Sequence, residues 1–233
     1  MNESRAREEI CRVGQSLFAR GYAHATAGNI SVKLGPDEGG GFLITPTDAC
    51  MGFLDPARLA RLDDEGHQVG GDRASKTIAL HRRIYQANLA AGTPVGCVIH
   101  THSTHCVALT LQSGGMVVER GGAARELLPA LTPYFVMKVG HVPVVDYFRP
   151  GDPAAATEVE RLIARYAARG TPIRAVMLDR LGPNVWHKSP AEAMAALEEL
   201  EETARLWLLN SKGSRPLSDA AIEELREVFA AAW

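Results

Sequence analysis

The sequence predicts a mixed α/β fold, because stripes of apolar residues at helical spacing alternate along the chain with short β-branched runs. Its front end is a helix followed by two short alternating strands, which is not how a dinucleotide-binding βαβ unit begins. At 233 residues and 46% apolar, the chain holds enough hydrophobic surface for one core, and no linker, repeat or low-complexity tract divides it. We expect a single domain over 1–233.

The elements follow in order. From Glu3 to Ala19, the residues Ile10, Val13, Leu17 and Phe18 recur at helical spacing, and Gly21 stops the helix. Ile30, Val32 and Leu34 alternate with polar residues, and Phe42-Leu43-Ile44 follows a glycine-rich turn, so a hairpin is expected. Ser75 to Asn88 places Ile78, His81, Ile84 and Tyr85 on one helical stripe, which LAAGTP breaks before the apolar strand Val95–Ile99. Ser103 or Thr104 caps a helix through Leu111, and Ala123 to Leu131 predicts another that ends before Pro133. Phe135-Val136-Met137, Val139 and Val142 to Val145 favour strand. Thr157–Ala168 and Ala191–Leu209 are helical, with the strand Ile173–Leu178 between them. A last helix, Ser218–Trp233, has a serine cap, Asp219 in its first turn and an exposed terminal Trp233.

Composition excludes several classes. With 25 basic against 27 acidic residues, the chain offers phosphate backbones no positive footprint, so nucleic-acid binding is not expected. No apolar run approaches membrane-spanning length, and the N-terminus lacks a signal-peptide core, so a cytoplasmic, membrane-free protein is expected. Cys11, Cys50, Cys97 and Cys106 form no CxxC pair and sit in apolar surroundings, as reduced core thiols do.

The segment most informative about chemistry is Val98-Ile-His-Thr-His-Ser-Thr-His. A strand's period of two sends His100 and His102 to one face, where two neutral imidazoles can share a metal ion or can simply be half-buried polar packing. Thr26-Ala-Gly-Asn-Ile-Ser offers a glycine and small polar groups, as do Ile44-Thr-Pro-Thr and Ala74-Ser-Lys. Each is an ordinary turn signal alone, but Ser75-Lys76 opens a predicted helix, where free N–H groups and a cation favour phosphate. Three such patches ahead of a histidine pair suggest a pocket.

These segments together resemble the class II aldolase/adducin family over nearly the whole chain: GNIS at 28–31, ITPT at 44–47, SK at 75–76, HTH at 100–102 and EELEETARLWLL at 198–209. The resemblance implies a single-domain α/β/α class II aldolase-like fold with a central, mostly antiparallel sheet. It implies a divalent metal, usually zinc, on His100 and His102, and a phosphate cradle of Gly28, Asn29, Thr45, Ser75 and Lys76. Family members commonly form homotetramers with active sites between subunits, which Trp207 and Trp233, expected exposed, would suit. Within the family, Thr132–Pro153 is most similar to members that decarboxylate 3-oxo-tetronate 4-phosphates. That resemblance implies a phosphorylated four-carbon sugar acid as substrate, with dihydroxyacetone phosphate and CO2 as products.

Two positions depart from the family pattern. Leu181 stands where the third metal-binding histidine is expected, and Thr77 where the acid/base glutamate is expected. A leucine binds no metal, and a threonine hydroxyl is too weak to replace a carboxylate. Candidates to complete the metal shell are His187, Asp179, His81, Glu119 and His105, and candidate proton donors are Tyr134, Tyr147 and a metal-bound water. A β-keto acid needs an electron sink rather than a base to lose CO2, so Thr77 favours decarboxylation over aldol cleavage, whereas Leu181 favours a noncatalytic reading. The alternatives are an aldolase or epimerase of sugar phosphates on the same fold, or a noncatalytic member with a degraded metal site.

Overall fold

The computed structural model describes residues 2–112, 117–118, 125–210 and 213–233. Its centre is an eight-stranded sheet ordered β4-β3-β2-β1-β5-β10-β9-β8, built from β1 (Asn29–Lys33), β2 (Phe42–Ile44), β3 (Ala60–Leu62), β4 (Gln68–Gly70), β5 (Cys97–His100), β8 (Val144–Val145), β9 (Ala175–Leu178) and β10 (Gly182–His187). All pairings are antiparallel except β8 with β9, so the sheet is mostly antiparallel, as expected. A separate two-stranded pair joins β6 (Val117–Val118) to β7 (Arg125–Glu126).

Helices cover both faces. On one side α1 (Glu3–Ala19), α3 (Thr104–Leu111) and α5 (Pro190–Leu209) pack over Ile30, Val32, Ile99, Met177 and Val185. On the other, α2 (Ile78–Ala90) and α4 (Pro153–Ala168) pack over Ile44, Val98, Val176 and Trp186. The alternation of strand side chains produces this division: Val98 and Ile99 are neighbours in sequence but belong to opposite cores. α6 (Asp219–Phe229) lies beyond α5, and no helix among the described residues is long and apolar enough to cross a membrane.

Helix α1 and the β1–β2 hairpin lie where the sequence predicts them, but four expectations need correction. The segment 125–131 is not helical: Arg125–Glu126 is a strand, while 123–124 lie outside the described residues. Phe135–Val139 is one wide π-helical turn, not a strand. Its buried residues Phe135, Val136 and Val139 follow helical spacing, which overrides β propensity. α2 begins at Ile78, so Ser75 and Lys76 belong to the turn that leads into it. Finally, α6 ends at Ala230, whose φ of 52° is left-handed, and Trp233 is not exposed. It folds back onto His141, with ring centroids 4.4 Å apart, and Trp207 is likewise half-buried against the core. All four cysteines are free thiols, with Cys97 and Cys106 buried.

Candidate active site

Three adjacent central strands build the site. Pairing register aligns Asn29 of β1 with His100 of β5, and His100 with Asn184 of β10, so the three side chains form a row across the sheet on its α2/α4 face. The strand ends at His100, and the turn Thr101–Ser103 brings His102 back beside it, with ring centroids 5.0 Å apart. Two glycines let neighbouring backbones crowd this turn. Gly28 has φ +88°, and a Cβ there would stand 2.7 Å from the His100 carbonyl. Gly182 has φ +139°, and a Cβ there would run into the Thr101 carbonyl.

Both imidazoles are held neutral. His100 Nδ1 lies 2.9 Å from the Pro183 carbonyl, which only accepts, so Nδ1 carries the proton and the Nε2 lone pair remains for a ligand. Burial, then the neighbouring His102, push the His100 pKa down to about 4, against a smaller upward pull from that carbonyl. The His102 pKa is lowered by burial and then by His24, whose ring stands 6.3 Å away. Neutral, oriented imidazoles are what a divalent cation requires of its nitrogen donors.

The histidines open onto a cavity of about 470 Å³, to which Asn29, Lys76, Thr77 and Asp179 also contribute polar groups. Asn29 Nδ2 donates to Thr77 Oγ1 at 3.1 Å, and Ser75 Oγ is 3.1 Å from the same atom. Asn29 and Lys76 therefore face the cavity. Gly28, Thr45 and Ser75 stand outside its lining: Thr45 is buried, its Oγ1 accepting from Ile30 N at 3.2 Å, and Gly28 packs on His100. Leu181 lines the cavity wall and packs into the α2/α4 core.

The candidate third ligands separate clearly. His187 lies by another cavity and pairs with Glu192 at 3.1 Å. His105 pairs with Glu201 at 2.8 Å. His81 is fully buried, with Nδ1 2.7 Å from Ser31 Oγ, and Glu119 lies outside the described residues. Asp179 shares the cavity with the two histidines, and its Oδ1 is buried with no hydrogen-bond partner among the described residues. Among those residues no three His, Cys, Asp or Glu side chains are placed to grip a metal together. Two neutral imidazoles are a nitrogen pair that a divalent cation can use, one fewer than the three protein ligands a catalytic zinc ordinarily keeps. Tyr134 and Tyr147 are exposed and do not line it.

Sequence reasoning missed Asn184. It is fully buried, and both atoms of its amide lack a hydrogen-bond partner among the described residues. Only the pairing of β10 with β5 places it beside His100; Trp186-His187 reads as a strand end in the sequence, but nothing local extends that strand back to Asn184.

Comparison with known proteins agrees with this architecture. The model of the class II aldolase and adducin N-terminal domain matches residues 8–208, and the chain belongs to that family. A protein of Cupriavidus necator named 3-oxo-tetronate 4-phosphate decarboxylase is 49% identical over 236 residues, covering 99% of both chains. One of that name from Escherichia coli K12 is 38% identical, covering 96% of each. A crystal structure of YgbL from Escherichia coli superposes with a TM-score of 0.81 at 38% identity, covering 96% of this chain and 99% of that one. An L-fuculose 1-phosphate aldolase, at 24% identity and a TM-score of 0.74, shares the fold.

Proposed function

We propose that this chain is a metal-assisted decarboxylase of a phosphorylated four-carbon 3-oxo sugar acid. The observation that carries the proposal is a cavity holding two neutral imidazoles and a lysine, with a threonine, not a carboxylate, beside Asn29. The names of the relatives that match end to end support the same reaction and substrate class.

His100 and His102 would hold the divalent cation, for which we propose zinc; Asp179 lines the same cavity but is not placed with them as a third protein ligand. When bound, such an ion supplies Lewis acidity to the substrate's 3-oxo oxygen. Lys76, exposed at the cavity rim, attracts the anionic phosphate, and Asn29 orients oxygen atoms through its amide. In the reaction the bond between the carboxylate and C2 breaks, its electrons pass toward the carbonyl, CO2 leaves, and C2 takes up a proton to give dihydroxyacetone phosphate. No base is needed to begin, so Thr77 is compatible with this chemistry. A retro-aldol cleavage starts by removing a hydroxyl proton, a task for which threonine is unsuited.

The same proposal includes a homotetramer and a reducing cytoplasmic setting, which the four free thiols suit. The deciding assay follows a 3-oxo-tetronate 4-phosphate with zinc-loaded enzyme. Release of CO2 with a ketose phosphate, abolished in His102→Ala, is expected. An aldehyde product, or turnover unchanged in His102→Ala, would overturn the proposal.

A further inference from the structure

The motif EELEET contributes a buried carboxylate that neither the cavity nor the proposed chemistry uses. Glu201, midway along α5, is 2% exposed, yet it points across the layer to the start of α3. Its Oε1 accepts from the backbone N–H of His105 at 2.8 Å, and its Oε2 from that of Cys106 at 3.0 Å. Oε1 also lies 2.8 Å from His105 Nδ1. These two amides are at the second and third positions of α3, the ones a side chain at the N-cap normally satisfies. Ser103 occupies that N-cap position but makes no capping bond, and its buried hydroxyl lacks a hydrogen-bond partner among the described residues. The cap is therefore delivered from a residue 96 positions away, and it places a carboxyl group at the positive end of the helix.

Ser103 directly follows His102. With β5 ending at His100, the backbone around His102 is fixed on one side by the sheet and on the other by the first turn of α3. We propose that Glu201 is a positioning residue for His102: by clamping the start of α3 to α5, it holds the His102 imidazole beside His100. This inference rests on the reading of that pair as the metal-binding face of the site. It assigns a task to the C-terminal motif that simple helix packing would not require of a glutamate, since an apolar residue would serve α5 better at a position buried this deeply.

The test compares the wild type with Glu201→Gln, which preserves size but has one acceptor oxygen for two amides. Zinc affinity of folded protein is measured by chelator competition, and the His102 ring signal and the amide exchange of residues 104–106 are recorded by NMR without metal. We expect zinc affinity to fall tenfold or more, within the range that outer partners of metal ligands command. We also expect faster exchange at His105 and Cys106 and a broadened His102 ring signal, while the double variant Glu201→Gln with Ser103→Asp recovers affinity through a local cap. Zinc affinity within twofold of wild type in folded Glu201→Gln, whatever its melting temperature, would overturn the proposal and leave Glu201 a packing residue. If Glu201→Gln does not fold, the double variant decides: wild-type zinc affinity supports the inference, and a folded double variant with weak zinc binding overturns it. A wild-type protein that binds no zinc would instead defeat the metal reading. The inference is then judged on the His102 ring signal, and an unchanged signal in the variant overturns it.

Discussion

At the scale of single residues, the site depends on how closely backbones approach one another. Gly182 combines a φ of +139° with a position against the Thr101 carbonyl, so an alanine there meets a conformational penalty and a collision together. We expect Gly182→Ala to cost more than about 2 kcal/mol in denaturant unfolding, with weakened zinc binding because the turn bearing His102 must shift. A stability within about 0.5 kcal/mol of wild type would show that the hairpin can move away freely. Lys76 offers a different test, since it lines the cavity from an exposed position at its rim. Removing a charged partner of a phosphate costs about 1.5–3 kcal/mol, so Lys76→Ala should raise KM roughly 10- to 150-fold. If kcat fell while KM held, Lys76 would act in the chemical step instead of in binding.

At the scale of elements, legibility followed periodicity and capping. Helix α1 was visible because its stripe is regular and its face is buried against the sheet throughout. The histidine pair was visible as a period of two, although the strand ends at His100 and a turn, not a longer strand, brings the second ring close. Strand β10 was hidden because it opens Gly-Pro-Asn, three poor strand formers. In the folded chain Pro183 is used through its carbonyl, which accepts from His100 Nδ1 and from Thr101 N. Helix α4 begins at Pro153, four residues before its apolar stripe becomes clear, on an Asp152 cap whose oxygen accepts from Ala154 N at 3.0 Å. The hidden strand also carries Asn184, whose buried amide, without a hydrogen-bond partner among the described residues, is a desolvation cost. Replacing it with the near-isosteric leucine should stabilise the metal-free protein by about 1–3 kcal/mol. A loss of stability in Asn184→Leu, measured by urea unfolding, would mean that the amide is satisfied in solution.

At the scale of the whole molecule, the layered fold buries two histidines, His81 of α2 and His100 of β5, between that helix and the sheet, and sets how stability depends on pH. His81 is fully buried, and burial followed by the proximity of His100 lowers its pKa to about 3, while His100 is lowered to about 4. An unfolded chain titrates both near 6.5, so between about pH 6.5 and pH 4 the unfolded state binds more protons than the folded one. Stability is then complete above pH 6.5 and falls with acidity, by about 1.4 kcal/mol per pH unit for each histidine. For metal-free protein, urea midpoints measured from pH 7.5 to pH 4.5 should therefore decline with a slope of at least these two protons, to which His102 and His187, also lowered by burial, add. His81→Asn should lower stability at pH 7.5, because Ser31 Oγ loses its 2.7 Å partner, yet flatten the acid slope by one proton. Zinc at saturating concentration should steepen the decline further, because protons then compete with the ion for His100 and His102. Equal slopes for wild type and His81→Asn would mean that His81 takes up its proton within the folded protein, and that the interior behind His100 is wetter than its packing implies.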